Sequence, residues 1–134
     1  MTADPEAVKI RGHIFRQDLS FPIVVEDEMD NIEKSRDAMI FLQSIGVWDD
    51  IERSKERTKI RAGRGKMRNR RYRTPKSILI VTDNPARMRA FRSFPGIDVA
   101  YSENISISKL APGGVGGRLV IYTESAFRKI GGEQ

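Results

Sequence analysis

The sequence predicts an α/β domain, on three observations. Four short apolar or β-branched runs, at residues 21–25, 77–81, 97–101 and 118–122, punctuate the chain, and three of them are almost unbroken in apolar residues. Runs of that kind suit strands buried on both faces, the mark of a parallel sheet. Helical patterns with their own start and stop signals lie between them, the alternation expected of crossover units whose helices cover a sheet. A length of 134 residues suits one globular domain rather than two.

After the first strand, the spacing starts a helix at Asp30, with Glu33 completing a capping box and Ile32, Met39, Leu42 and Ile45 forming the apolar stripe. Gly46 ends it. A shorter turn of helix at 48–53 presents Trp48 and Ile51 to the same core, and the apolar periodicity then disappears into a basic stretch expected to be loop-like. After the second strand, Asp83 reads as a helix cap and Pro85 as the first helical position. Ala86, Ala90, Phe91 and Phe94 give that helix a buried side, and Pro95 and Gly96 stop it. A brief turn or helix at 104–110 and a glycine-rich connection at 111–117 follow the third strand, and Thr123 caps a final helix containing Ala126, Phe127 and Ile130.

Apolar residues make up 39% of the chain and charged residues 31%, a balance that suits a folded protein and excludes wholesale disorder. The absence of cysteine removes disulfides, thiolate zinc sites and cysteine nucleophiles together, and makes a reducing interior the natural setting. No apolar stretch approaches the roughly 20 residues of a membrane helix, and the opening residues lack the basic and apolar regions of a signal peptide. A cytosolic location with no membrane partner is expected.

The net charge of +6 is concentrated. Residues 53–76 hold twelve Lys or Arg against the single acid Glu56, so the remainder carries twelve basic and seventeen acidic groups. The body is acidic and the segment strongly basic. Like charges at this density repel one another in the free protein, and a polyanion that neutralises them explains the segment better than a solvated loop does. Arginine forks at Arg61, Arg64, Arg68, Arg70, Arg71 and Arg73 suit phosphates, Lys59 and Lys66 add point charges, and Tyr72 suits base stacking. Gly63 and Gly65 let the backbone come close to a ligand. Interleaved glycines and the lack of an apolar face argue against a membrane-surface helix.

The glycines of GGVGG at 113–117 precede a strand, the reverse of the order in nucleotide-binding motifs, which favours a tight connection or close RNA approach. Glu26, Asp27, Asp83 and Glu124 fall at the expected C-terminal ends of strands, where ligands of open α/β sheets gather. A two-metal nuclease would need such acids, but Asp83 sits at a cap position and Glu124 in a first helical turn, where negative charge is structural. His13, the only histidine, lies in a polar stretch beside Arg11 and Gly12 and is expected at the surface or facing RNA.

Four motifs in order carry a family resemblance: FPIVVEDE at 21–28, KIRAGRGKMRNRRYR at 59–73, SILIVTDN at 77–84 and KLAPGGVGGRLVIYTESAF at 109–127. With them the chain resembles, over nearly its whole length, the globular portion of the large-subunit ribosomal protein four family in its archaeal and eukaryotic branch. The resemblance implies a three-layer α/β/α domain with a small, mainly parallel sheet of about four strands and a long basic loop, residues 1–134 forming one RNA-binding unit. It implies a structural constituent of the large ribosomal subunit, located on the cytoplasmic ribosome, that binds ribosomal RNA and supports assembly and translation. Neighbouring ribosomal proteins are its further partners, and no catalytic residue, metal, cofactor or small-molecule substrate is implied.

The residues matching the family's RNA-contacting motif are Lys59, Arg61, Gly63, Arg64, Gly65, Lys66, Arg68, Asn69, Arg70, Arg71 and Arg73, and Tyr72 joins the expected RNA-binding set as the stacking residue of the segment. Gly113, Gly114 and Arg118 belong to a second motif and are expected as a secondary RNA contact. Family members also carry a long N-terminal portion with an arm that reaches the wall of the peptide exit tunnel, and this sequence has no match to it. The chain is therefore expected to be a fragment or a split gene product without tunnel-lining functions. The lack of a long eukaryotic C-terminal extension favours an archaeal-type source. Two rival readings are a metal-dependent nuclease using Glu26, Asp83 and Glu124, and a regulator that binds messenger RNA through the same basic surface.

Overall fold

Residues 4–132 are described by a computed structural model. In chain order the strands are β1 (Ile23–Val25), β2 (Lys59–Ile60), β3 (Tyr72–Arg73), β4 (Leu79–Thr82), β5 (Asp98–Tyr101) and β6 (Val120–Thr123). The helices are α1 (Pro5–Ile10), α2 (Ser35–Ile45), α3 (Trp48–Glu56), α4 (Arg89–Arg92), α5 (Ile107–Leu110) and α6 (Glu124–Ile130). The four apolar runs of the sequence form one parallel sheet in the order β1-β6-β4-β5, while β2 and β3 pair antiparallel as a separate ribbon.

Successive strand residues point to opposite faces, so unbroken apolar runs give the sheet two cores. Ile80, Val99 and Ile121 face one side, where they meet Ala38 and Leu42 of α2, Ile51 of α3 and Phe91 of α4. Leu79, Val81, Ala100 and Val120 face the other, against Ala126 of α6 and the half-buried Leu110 of α5. This is a three-layer α/β/α arrangement, as the resemblance implied. Phe91 is fully buried with Phe41 edge-on at 6.2 Å, and burial of a side chain of that size contributes about 2–3 kcal/mol.

Gly46 ends α2 as expected, in the left-handed conformation at φ 91°, with its N–H donated to the carbonyls of Leu42 and Gln43. The expected start at Asp30 is corrected: α2 begins at Ser35. Asp30 is buried and accepts hydrogen bonds from Thr82 Oγ1 at 2.9 Å and Asn84 Nδ2 at 3.3 Å, so its carboxylate ties residues 27–31, a 3-10 turn, to the end of β4. Asp83 is likewise no cap; it accepts from Ser102 Oγ and pairs with Lys129, and the expected helix is broken into a 3-10 turn at Pro85–Arg87 and the short α4. The Thr123 hydroxyl donates to Val81 O rather than capping α6. Asp27 does that work instead, accepting from Ser125 N at 3.1 Å and Ser125 Oγ at 2.9 Å, because parallel pairing of β1 with β6 sets the end of one strand beside the helix that follows the other.

Two elements exceed the sequence reading. α1 forms where Asp4 accepts the N–H of Glu6 at 3.0 Å and Pro5 takes the first helical position. α3 continues to Glu56, past its expected end at residue 53, so the basic segment starts on a helix.

Candidate nucleic-acid interface

The basic segment leaves α3 and rises as a ribbon, with Lys59 opposite Arg73 and Ile60 opposite Tyr72. Arg61 extends it, donating its N–H to Arg71 O at 2.6 Å and its Nε to Arg70 O at 3.0 Å. A 3-10 turn at Arg64–Met67 closes the tip, entered through Gly63 at φ 81°, and the Gly65 carbonyl accepts from the N–H groups of Arg68 and Arg70. A Cβ on Gly65 would stand 2.8 Å from Arg61 Cδ, so the glycine lets that arginine lie across the turn. The expectation of a loop is thus corrected in part: the ends are paired and the tip is folded back.

Lys59, Arg64, Lys66, Arg68, Asn69, Arg70, Arg71, Tyr72 and Arg73 are exposed, as is Gly63, while Arg61 and Gly65 are half-buried. None of these cations is paired with a carboxylate among the described residues. Like charges directly opposite on paired strands, as at Lys59 and Arg73, repel one another. The Arg71 guanidinium lies 5.9 Å from the centre of the Tyr72 ring, and that ring is 61% exposed, a flat surface on which a base can stack.

The ribbon's foot is fastened to the body by a buried hub. Asp50 is fully buried and accepts from His13 Nδ1 at 3.0 Å, Ile14 N at 2.9 Å, Arg53 Nε at 2.9 Å and Ser77 Oγ at 2.6 Å. Burial opposes ionisation of this carboxyl, but the hydrogen bonds from His13, Arg53 and Ser77 outweigh it and hold the group at about 2. Arg53 Nη2 also donates to Lys76 O at 3.1 Å and Ser54 Oγ to Pro75 O at 2.6 Å, which closes the two ends of the segment on each other. His13, expected at the surface, is buried in this hub; its partner Asp50 lies 37 residues away, beyond the reach of local sequence reading.

Arg118 also requires correction. Its side chain is 0% exposed and donates to Ser77 O at 2.9 Å, Lys109 O at 2.6 Å, Ile78 O at 3.3 Å and Asp98 Oδ2 at 2.8 Å, so it joins the N-terminal edges of β4, β5 and β6 and has no face to offer RNA. Gly113 and Gly114 differ. Both are exposed, a Cβ on either would meet nothing within 4 Å, and Gly113 shares a cleft wall with Arg73 and Lys76. The fold therefore brings the second glycine motif to the foot of the ribbon.

The ribbon leaves the N-terminal edge of the sheet, opposite the edge where ligands of open α/β sheets gather. At the C-terminal edge, Asp27 holds Ser125, Asp83 holds Ser102 and Lys129, and Glu124 pairs with Arg128. No three His, Cys, Asp or Glu side chains among the described residues are grouped to hold a metal ion. These commitments give the nuclease reading no support.

A profile of the ribosomal protein L4/L1 family matches residues 2–133. The chain belongs to this family. Similar members include the large ribosomal subunit protein uL4 of Thermoplasma acidophilum, 58% identical over 130 residues that cover 97% of this chain and 51% of that protein. The proteins of the same name from Methanocaldococcus jannaschii and Saccharolobus solfataricus are 45% and 46% identical, covering 96% and 95% of this chain and 51% and 48% of theirs. The chain spans about half the length of these curated relatives. Within the L4/L1 family setting, the exposed ribbon is the part of this fold whose geometry suits a polyanion, and the acidic body is its mount.

Proposed function

We propose that this chain is the RNA-binding portion of a structural constituent of the large ribosomal subunit, seated on the cytoplasmic ribosome. Its ribbon holds ribosomal RNA through phosphate contacts and local stacking, its body packs beside neighbouring ribosomal proteins, and the whole supports subunit assembly and translation. The observation that carries this reading is the run of exposed cations from Lys59 to Arg73, unpaired by any described carboxylate and mounted on an otherwise acidic body. The names of the relatives support the choice of RNA. Arginine supplies paired donors for phosphate, and Tyr72 a stacking face.

The test is equilibrium binding of a large-subunit RNA fragment to the wild-type chain and to a variant carrying Arg68→Ala, Arg70→Ala and Arg71→Ala. Removing three phosphate contacts is expected to weaken binding by roughly tenfold or more at moderate salt. Equal affinity in the two proteins would overturn the assignment of the ribbon.

A further inference from the structure

At the foot of the ribbon lies a cleft of about 360 Å³, walled by Arg11, His13, Arg53, Arg73 and Lys76, with Thr74, Pro75 and the turn at Pro112 and Gly113 completing it. No acidic side chain lines it. Its charge is unbalanced in depth as well. Arg53 shares Asp50, while Lys76 and the buried Arg118 share the single carboxylate of Asp98. Arg11 donates only to the carbonyls of Pro112, Val115 and Gly116, and the guanidinium of Arg73 has no hydrogen bond or ion pair among the described residues. Five cations therefore meet two carboxylates, and Arg11 feels the repulsion of Arg118.

A second observation marks the same wall. Among the described residues, His13 Nε2 is a buried side-chain polar atom with no hydrogen-bond partner, although the other ring nitrogen is held by Asp50. A buried polar group without a partner is costly, which sets His13 apart among the groups behind this cleft.

We infer that this cleft is a phosphate-binding site, separate from the ribbon tip, that takes a backbone phosphate of the bound RNA. Arg73 and Lys76 reach the phosphate oxygens, Arg11 and Arg53 supply positive charge from the two flanking helices, and the open turn at Gly113 lets the sugar–phosphate chain pass close to the backbone. The inference rests on the RNA-binding reading above, adds Arg11 to the contact surface, and joins Arg53, Lys76 and the turn at Gly113 to it as one phosphate site.

His13 is the only histidine, so its imidazole resonances report on this cleft alone. The full chain is titrated with an RNA hairpin, and in a parallel arm with inorganic phosphate, while binding is followed by anisotropy and the His13 ring by NMR. RNA is expected to shift the ring signals saturably, in step with anisotropy. Thr74→Glu, which places a carboxylate at the exposed cleft mouth without removing a cation, should suppress that shift and weaken RNA binding by roughly tenfold. Met67→Glu at the ribbon tip, where the side chain is 81% exposed, should weaken binding while the full His13 shift is still reached at saturation. RNA that binds with the His13 signals unmoved overturns the cleft and leaves the ribbon standing. A shift given by inorganic phosphate but not by RNA makes this a free-phosphate site and overturns the RNA assignment. Absence of any RNA binding overturns both readings.

Discussion

Arg118 donates to Asp98 at 2.8 Å from a side chain that is wholly buried, while Asp98 keeps 27% of its own side chain exposed and reaches Lys76 as well. The guanidinium also donates to the carbonyls of Ser77 and Ile78 just before β4, of Gly96 ahead of β5 and of Lys109 in α5. Removing it takes the guanidinium from Ser77 O and Lys109 O, leaves Asp98 with Lys76 alone and opens a void in the buried edge. Arg118→Ala should lose about 3–5 kcal/mol of unfolding free energy in urea denaturation. Arg118→Lys should recover little, since one ammonium cannot replace the fork. A loss under about 1 kcal/mol would show that Arg118 is not the joint described.

The Asp50 carboxyl sits at about 2 in the folded protein against an ordinary 3.8, so the folded state favours its charged form. Its contribution is therefore complete above the ordinary value and is lost as pH falls from about 4 towards 2, in total about 2 kcal/mol. The stability difference between wild type and Asp50→Asn should shrink over that window when urea denaturation is run at a series of pH values. A difference that stays constant with pH contradicts the hub.

The sheet was legible because β4 and β6 are almost continuous in apolar residues and buried on both faces, while β5 departs from that pattern at Asp98 and the exposed Tyr101. The exposure of the basic segment was legible because its charge has one sign and its solvation needs no tertiary partner, but its pairing as a ribbon was not, since Lys59 and Arg73 repel where they stand opposite each other. Asp30, His13 and Arg118 were misread for a common reason. Each is a polar side chain with side-chain partners 20 to 54 residues away, Thr82 and Asn84 for Asp30, Asp50 for His13 and Asp98 for Arg118. Local rules assign such residues to caps or to solvent, whereas burial converts them into joints between elements.

Asp27 caps α6 across 98 residues of sequence. Asp27→Ala should cost about 1 kcal/mol, the usual value of a helix N-cap, and Asp27→Asn should keep most of it. Equal loss in both variants, measured by denaturation, would mean that charge rather than the hydrogen bonds to Ser125 is what matters.

The arginines at 68, 70 and 71 are exposed, and exposed charges contribute little to stability. The triple alanine variant should unfold within about 0.5 kcal/mol of wild type by thermal or urea denaturation. A larger loss would mean that these side chains are packed into the domain, and their effect on RNA binding would then be a folding defect.

The central claim is that unpaired cations on the ribbon neutralise RNA phosphates, and its most direct test is the affinity for a large-subunit RNA fragment measured against salt. With about six to ten phosphates neutralised, binding should weaken by roughly a thousandfold or more between 50 and 200 mM salt, and the slope should fall by about two to three in the triple alanine variant. An affinity that stays flat across that range, or a slope unchanged by the three substitutions, would contradict it.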